Sequence, residues 1–288
     1  MASGSTLLAI GFGYSAEALA RRLLDRDWRV IGTTRSEERA AQIRAIGVEP
    51  APWPPSTEVL DEATHLLISA APGAEGDPSL VALGEAIRER ADRFKWVGYL
   101  STTGVYGDKA GEWVDEESPL NPATERGERR VKAEAEWRGT GVPLHIFRIA
   151  GIYGPGRGPF AKLRNGTARR IIKQGQVFSR IHRDDIAASL AASIDQPRPG
   201  GVYNLCDDLP APPQQVTEYA ASLLNMPPPP EEAFETAEMS PMARSFYSES
   251  KRVSNRRIRD ELGVALAYPT YREGLQATLA EEEAGGAI

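Results

Sequence analysis

Along the first half of the chain, apolar residues come in short continuous runs, each followed by a stretch with helical spacing. TLLAI, Thr6 to Ile10, reads as a buried strand, and SAEALARRLLDR then places Ala18, Leu19, Leu23 and Leu24 on one helical face. WRVIGTTR predicts a second strand, and SEERAAQIRAIG a helix that Ser36 can cap and Gly47 can end. HLLISAAP, KWVGYLSTT and PLHIFRIAG predict further strands. Helical stretches from about Pro78 to Phe94 and from about Thr124 to Trp137 separate these. Short apolar strands alternating with helices specify parallel βαβ units with both sheet faces covered, a doubly wound α/β fold.

The pattern changes after Gly151. GIYGPGRGPF is a Gly/Pro loop, QVFSRIHRDDIAASLAASI reads as strand then helix, and GGVYNLCDD as another short strand. Met226 to Ser250 is Pro-rich and weakly periodic, and Pro227 to Pro230 cannot lie in a helix interior, so an irregular part of a smaller lobe is expected there. A helix from about Val253 to Leu262 should end at Gly263, and a last helix should follow Tyr271. Residues 1–151 are expected to form a Rossmann domain. Residues 152–288 should form mainly a smaller α/β C-terminal lobe, with some segments returning to the first sheet. The residues before Thr6 and the tail EEEAGGAI are expected to be frayed.

Composition narrows the class. A formal net charge of -6 argues against a nucleic-acid surface, which normally shows a basic excess. The single cysteine, Cys206, cannot form an internal disulfide and fits a reducing cytoplasm. No apolar run approaches the roughly 20 residues that span a bilayer, and the N-terminus lacks the basic stretch of a signal peptide. A cytoplasmic protein with neither membrane nor nucleic acid as partner is expected.

The first strand runs into Gly11, Phe12, Gly13, Tyr14, Ser15 and Ala16, the start of the first helix. In such a turn the first glycine permits the bend, the second lets backbone approach a pyrophosphate, and the third position accepts alanine. Helix N-terminal N–H groups then meet the phosphate charge. The end of the second strand selects the dinucleotide. A carboxylate there would bind the ribose 2'-OH of NAD, whereas a guanidinium suits the 2'-phosphate of NADP. Thr33, Thr34 and Arg35 stand at that point, with Arg39 one helical turn later, which favours NADP(H) over NAD(H). The alternative is that Arg35 and Arg39 are solvated and pair with Glu37 and Glu38.

With YLSTTGVYGD, FRIAGIYGPGR and SRIHRDDIA in that order, the sequence resembles the extended short-chain dehydrogenases/reductases, the NAD(P)-dependent epimerase/dehydratase family. The resemblance covers nearly the whole chain. It implies a Rossmann domain binding the nucleotide and a small lobe closing over a substrate, often a nucleotide sugar. It implies that Thr102, with Thr103 beside it, orients the substrate oxygen, or else that these hydroxyls only satisfy local backbone. It also places Ala70, Ala71 and Pro72 beside the cofactor ribose and phosphates.

The family's chemistry rests on a Tyr-x-x-x-Lys pair on the next helix. Aligning the family's glutamate on Glu134 puts Arg130 at the lysine position and Arg126 at the tyrosine position. Arginine stays protonated, so Arg126 cannot serve as the acid/base. This departure resembles the atypical branch of the superfamily. YSESK, Tyr247 to Lys251, has the dyad spacing but lies beyond the Pro-rich segment, in the wrong lobe; Tyr106 is the better substitute donor, or else a packing residue. Arg126 and Arg130 either bind an anionic or nucleotide-sugar-like substrate or are surface charges, with Arg130 pairing to Glu134. Arg157 lies in a loop that can reach the substrate.

His65, His145 and His182 read as satisfied core residues rather than metal ligands, Asp184 and Asp185 as structural, and Cys206 as inert core. We find no metal-ligand spacing. Two functions follow: an NADP-dependent oxidoreductase or epimerase-like enzyme lacking the usual dyad, and a non-catalytic NADP(H)-binding redox sensor or scaffold. The family dimerises through the helices near Pro78–Phe94 and Thr124–Trp137. The charge on the second of these predicts a monomer or weak homodimer.

Overall fold

A computed structural model describes residues 4–285. Its main sheet contains β1 (Thr6–Ile10), β2 (Arg29–Thr34), β3 (Glu49–Pro52), β4 (His65–Ile68), β5 (Trp96–Thr102), β7 (Leu144–Ile149) and β11 (Val202–Leu205). Three small parallel pairs accompany it: β6 (Trp113–Val114) with β13 (Arg252–Val253), β8 (Gly151–Tyr153) with β10 (Arg180–His182), and β9 (Arg170–Ile172) with β12 (Glu231–Ala233). The seven strands are parallel throughout, in the order β11-β7-β5-β4-β1-β2-β3. This is the doubly wound α/β architecture that the alternating pattern predicts.

Every residue of β1 is buried because both of its faces are covered. Leu7 and Ala9 join one apolar cluster, and Leu8 and Ile10 the other. The first cluster lies under α1 (Tyr14–Leu24), α2 (Glu37–Ala45), α7 (Arg183–Asp195) and α10 (Arg256–Leu262). The second lies under α3 (Glu58–Glu62), α4 (Pro78–Glu89) and α5 (Glu125–Arg138). Ser36 caps α2 through its hydroxyl, which accepts the Arg39 N–H at 3.2 Å. A smaller core joins Tyr153 and Phe160 to α8 (Pro213–Leu223) and α11 (Tyr271–Ala284), with α6 (Phe160–Arg164) beside them. A short α9 (Pro241–Phe246), with no buried residue, lies within the Pro-rich segment.

Several boundaries differ from the sequence expectation. Strand β3 and helix α3 lie in a proline-punctuated stretch that the apolar pattern passes over. As the edge strand, β3 tolerates Pro50 and Pro52, whose missing N–H groups break no central ladder. The helix expected to reach Phe94 stops at Glu89, and a 3-10 turn covers Ala91–Arg93. Glu281 to Ala284 are not frayed but helical, because Glu282 is buried and accepts from the Gly156 amide (3.1 Å) and Arg164 (2.9 Å). The expectations for residues 1–3 and 286–288 fall outside the described residues. No described helix is long and apolar enough to cross a membrane.

The chain leaves β1 toward β2 and β3, then returns to place β4 on the other side of β1. The carboxyl ends of β1 and β4 therefore flank a topological switch point, where open α/β sheets form their ligand crevice.

Candidate functional site

The glycine turn sits at that switch point. Gly11 has φ +84°, and a Cβ on it would stand 2.8 Å from the Ala70 amide nitrogen, so the ends of β1 and β4 press together only because this residue is glycine. Its amide donates to the Thr33 hydroxyl (2.8 Å), and its carbonyl accepts from the Ser69 hydroxyl. The sequence reading missed Thr33 and Ser69 as supports, since Ser/Thr at strand ends carry no distinctive spacing. Phe12 is buried against Gly32, where any Cβ would strike its ring at 2.6 Å, so its side chain packs the core. Ala16 is likewise fully buried.

Gly13 caps α1 without a side chain, and a Cβ there would meet only the Gly11 carbonyl, at 3.9 Å. The head of α1 is thus open on the side where Gly13, Tyr14 and Ser15 line a cleft of about 950 Å³. Uncapped N-terminal amides beside an open glycine backbone fit a pyrophosphate. Ala71 also lines the cleft, Ala70 is half-buried beside Gly11, and Pro72 is buried away from it. Tyr14 donates to the Pro155 carbonyl (3.0 Å), and burial pushes its phenol up to about 12. The guanidinium of Arg157 stands 5.8 Å from the Tyr14 ring centre, which brings this residue to the glycine turn.

Arg35 is exposed at the end of β2. Arg39 does not pair with the glutamates beside it. It donates to Glu17 on α1 (3.0 Å) and to Gln42 (2.9 Å), so its guanidinium is tied to the helix that begins at the glycine turn.

Thr102 is the last residue of β5 and Thr103 follows it; both line the cleft. The Thr102 oxygen accepts the Gly104 amide at 3.1 Å, which leaves the hydroxyl proton available to another acceptor. Tyr106 corrects the sequence reading. It is fully buried, donates to Asn204 Oδ1 (2.7 Å), accepts from Arg148 (3.0 Å), and does not line the cleft. Burial pushes its phenol up to about 12, which disfavours proton exchange there.

Helix α5 contains no tyrosine. Arg126, in its first turn, is exposed at the cleft and stacks on Phe246, with 4.9 Å from guanidinium carbon to ring centre. Arg130 is not a surface charge paired with Glu134. It donates to the Leu100 carbonyl (2.7 Å) and the Tyr99 hydroxyl (2.9 Å), a half-buried position on the cleft wall. Glu134 instead receives Arg148 (2.9 and 3.2 Å) and the Ser101 hydroxyl (2.6 Å), all buried.

The opposite wall belongs to residues the sequence reading left out: Phe178, Ser179, Arg180, Met242, Glu249 and Lys251. Tyr247 packs its ring against Phe178 and Phe234 and is not part of the cleft lining, so YSESK forms no Tyr/Lys pair. Its lysine nevertheless reaches the cleft.

The remaining candidates are structural. Burial pushes His65 and His145 down to about 4, and both are hydrogen-bonded in the core. His182 caps α7, and Asp185 accepts the Ala267 (2.7 Å) and Tyr268 (3.1 Å) amides. Cys206 is buried, its thiol pushed up and donating to the Val253 carbonyl.

No profile of a known protein family matches the chain. A conserved protein of unknown function from Silicibacter pomeroyi is 58% identical, with a TM-score of 0.93 over 96% of this chain and 99% of that one. Protein YeeZ of Escherichia coli K12 is 28% identical over 280 residues, 90% of this chain and 95% of YeeZ. A Methylobacillus flagellatus protein assigned as an NAD-dependent epimerase/dehydratase is 27% identical, with a TM-score of 0.71 over 97% of this chain and 99% of that one. Two more distant structures share the fold. A Bacillus anthracis dTDP-glucose 4,6-dehydratase in complex with NAD is 17% identical (TM-score 0.79; 99% and 98% of the two chains). A human epimerase family protein with NADPH is 16% identical (TM-score 0.73; 96% and 99%).

Proposed function

We propose that the chain, which shares the fold of NAD(P)-dependent epimerases/dehydratases and is 27% identical to a protein assigned to them, binds NADP(H) and acts as an oxidoreductase or epimerase-like enzyme on a small anionic substrate. The observation that carries this reading is the uncapped head of α1, free of side chains at Gly13 and open to the cleft. Gly11, Gly13, Ser15 and Ala16 present backbone to the cofactor pyrophosphate, with Tyr14 and Arg157 beside it. Ala70 and Ala71 border its ribose. Arg35, exposed at the end of β2, and Arg39 hold the 2'-phosphate, Arg39 giving up its bond to Glu17 to do so.

A nicotinamide bound there would supply or take the hydride. Thr102, its oxygen already satisfied by Gly104, donates a hydrogen bond from its hydroxyl to the substrate oxygen, and Thr103 flanks it. Arg126 and Arg130 offer guanidinium donors to an anionic part of the substrate, which can be nucleotide-sugar-like. Arg130 is pre-oriented by Leu100 and Tyr99, so it loses little freedom on binding.

A second reading, a redox sensor or scaffold that binds cofactor without turnover, is favoured by one feature: α5 carries arginines where an acid/base tyrosine is expected. Titration with NADPH and NADH, then NADPH consumption against a panel of carbonyl compounds and nucleotide sugars, separates the two. Tighter NADPH binding with turnover is expected. Tight binding without turnover selects the sensor, and equal affinity removes the role given to Arg35 and Arg39. Retention of neither cofactor ends both readings.

A further inference from the structure

Five cationic side chains line the cleft, Arg126, Arg130, Arg157, Arg180 and Lys251, against one carboxylate, Glu249. Of the six lysines in the chain, Lys251 alone is both buried and in this lining. A buried ammonium needs a partner, and Glu249 Oε2 lies 2.5 Å from its Nζ. The two side chains are 10% and 13% exposed.

The segment that carries them is held firmly. Ser250, between the two, donates its amide to Asp108 (2.7 Å), and its carbonyl accepts from Lys109 (3.1 Å) and Gly111 (2.9 Å). Its hydroxyl donates to the Gly175 carbonyl (2.9 Å) and accepts from the Val177 amide (3.2 Å). Both flanking segments therefore grip Ser250 and turn Glu249 and Lys251 into the cleft. Stability does not account for this arrangement, because a buried ion pair is often no better than apolar packing of the same volume. A donor aimed into a cleft, facing an α5 without a tyrosine, is the chemistry such an arrangement can supply.

We propose that Lys251, positioned by Glu249, donates a hydrogen bond to the reacting oxygen of an anionic carbonyl substrate. The substrate's phosphate or carboxylate is taken by the guanidinium groups of Arg126, Arg130 and Arg180. Lys251 and Thr102 then contact the same oxygen. The assignment deepens the reading of the cleft as a hydride-transfer site and rests on it for the reaction.

Pyridoxal 5'-phosphate, an anionic aldehyde, is the probe. A site of this chemistry seats its phosphate on the arginines and its aldehyde at Lys251, whose ammonium passes a proton to Glu249 so that the free amine and the aldehyde lose water to an imine, which borohydride reduces to a stable secondary amine. Peptide mapping of the full-length protein should find Lys251 labelled about tenfold or more faster than the five other lysines, although it is the buried one. Excess inorganic phosphate should slow that labelling. Lys251→Arg should abolish it with melting unchanged, and Arg126→Ala should slow it. A label spread over the exposed lysines, or an unlabelled Lys251, overturns the proposal whatever the variants do. NADPH retention on the same preparation keeps the two readings apart. Retention without Lys251 labelling sinks this assignment alone, and labelling without retention leaves the anionic-carbonyl site standing and sinks the cofactor reading.

Discussion

At Gly11, backbone conformation and space both forbid a side chain, whereas at Gly13 neither does. Gly11→Ala should therefore cost about 1–3 kcal/mol of stability and lose NADPH retention. Gly13→Ala should keep the melting temperature yet weaken NADPH, because its methyl stands where backbone meets phosphate; thermal melts with cofactor titration check both. Asp207 gives a pH prediction. Burial holds its carboxyl up at about 8, against 3.8 for the free group, and Arg180 only partly opposes the shift. Between those values the folded chain keeps a proton that the unfolded chain releases, so this residue's contribution to stability falls as pH rises. Wild type should lose stability relative to Asp207→Asn by on the order of 1 kcal/mol per pH unit across that window. Parallel denaturation curves from about pH 5 to about pH 8 would refute it. The glycine turn was legible because its meaning is local: strand, two glycines, helix. Tyr106 was not, because what removes its hydroxyl from the cleft, Arg148 and Asn204, lies 42 and 98 residues away in sequence.

Besides Arg130 and its apolar face, a buried polar chain ties helix α5 to the sheet. The Ser101 hydroxyl and Arg148 meet at Glu134, Arg148 continues to Tyr106, and Tyr106 to Asn204, joining α5 to β5, β7 and β11. Arg148 is 3% exposed, so Glu134→Ala would strand a buried cation. That substitution should cost about 3–5 kcal/mol, read as a lower urea midpoint. Glu134→Gln, which keeps an acceptor for the guanidinium, should cost less. A cost near zero for the alanine variant would mean that apolar packing alone holds the helix. The family pattern picked out Glu134 but said nothing of its partner, since Arg148 sits inside an apolar run that reads as core. The sequence placed α5 to within a residue at each end, yet missed β3, where prolines interrupt the pattern at the one kind of strand that tolerates them. The wall formed by Met242 to Lys251 was misjudged for another reason. Weak periodicity identifies an irregular segment but does not say which cleft it crosses.

For the whole molecule, alternating strands and helices made the main sheet readable up to β7, and that regular alternation gives out after it. Neither the alternation nor its end shows which sheet a later strand joins: β11 returns to the edge of the first sheet, and α7 packs on α1. Assembly is open to the same physical reasoning. The resemblance to dimeric family members implies burial of α4 and α5 between two copies. On α5, Arg129 pairs with Glu125 and Lys132 reaches Glu136 at 3.7 Å, both within the helix. A second copy would have to desolvate these charges and offer no better partners. The apolar share that α4 adds is small, with Val81, 66% exposed, its one exposed large hydrophobic residue. A stable interface needs about 800 Å² per partner around an apolar centre, and a charge of -6 on each copy adds repulsion. Light scattering in dilute solution should accordingly give a single species near the 31.3 kDa chain mass. If a dimer of twice that mass persists at low concentration and in high salt, the faces of α4 and α5 are not what holds the copies together, and the partner surface has to be sought on the second lobe.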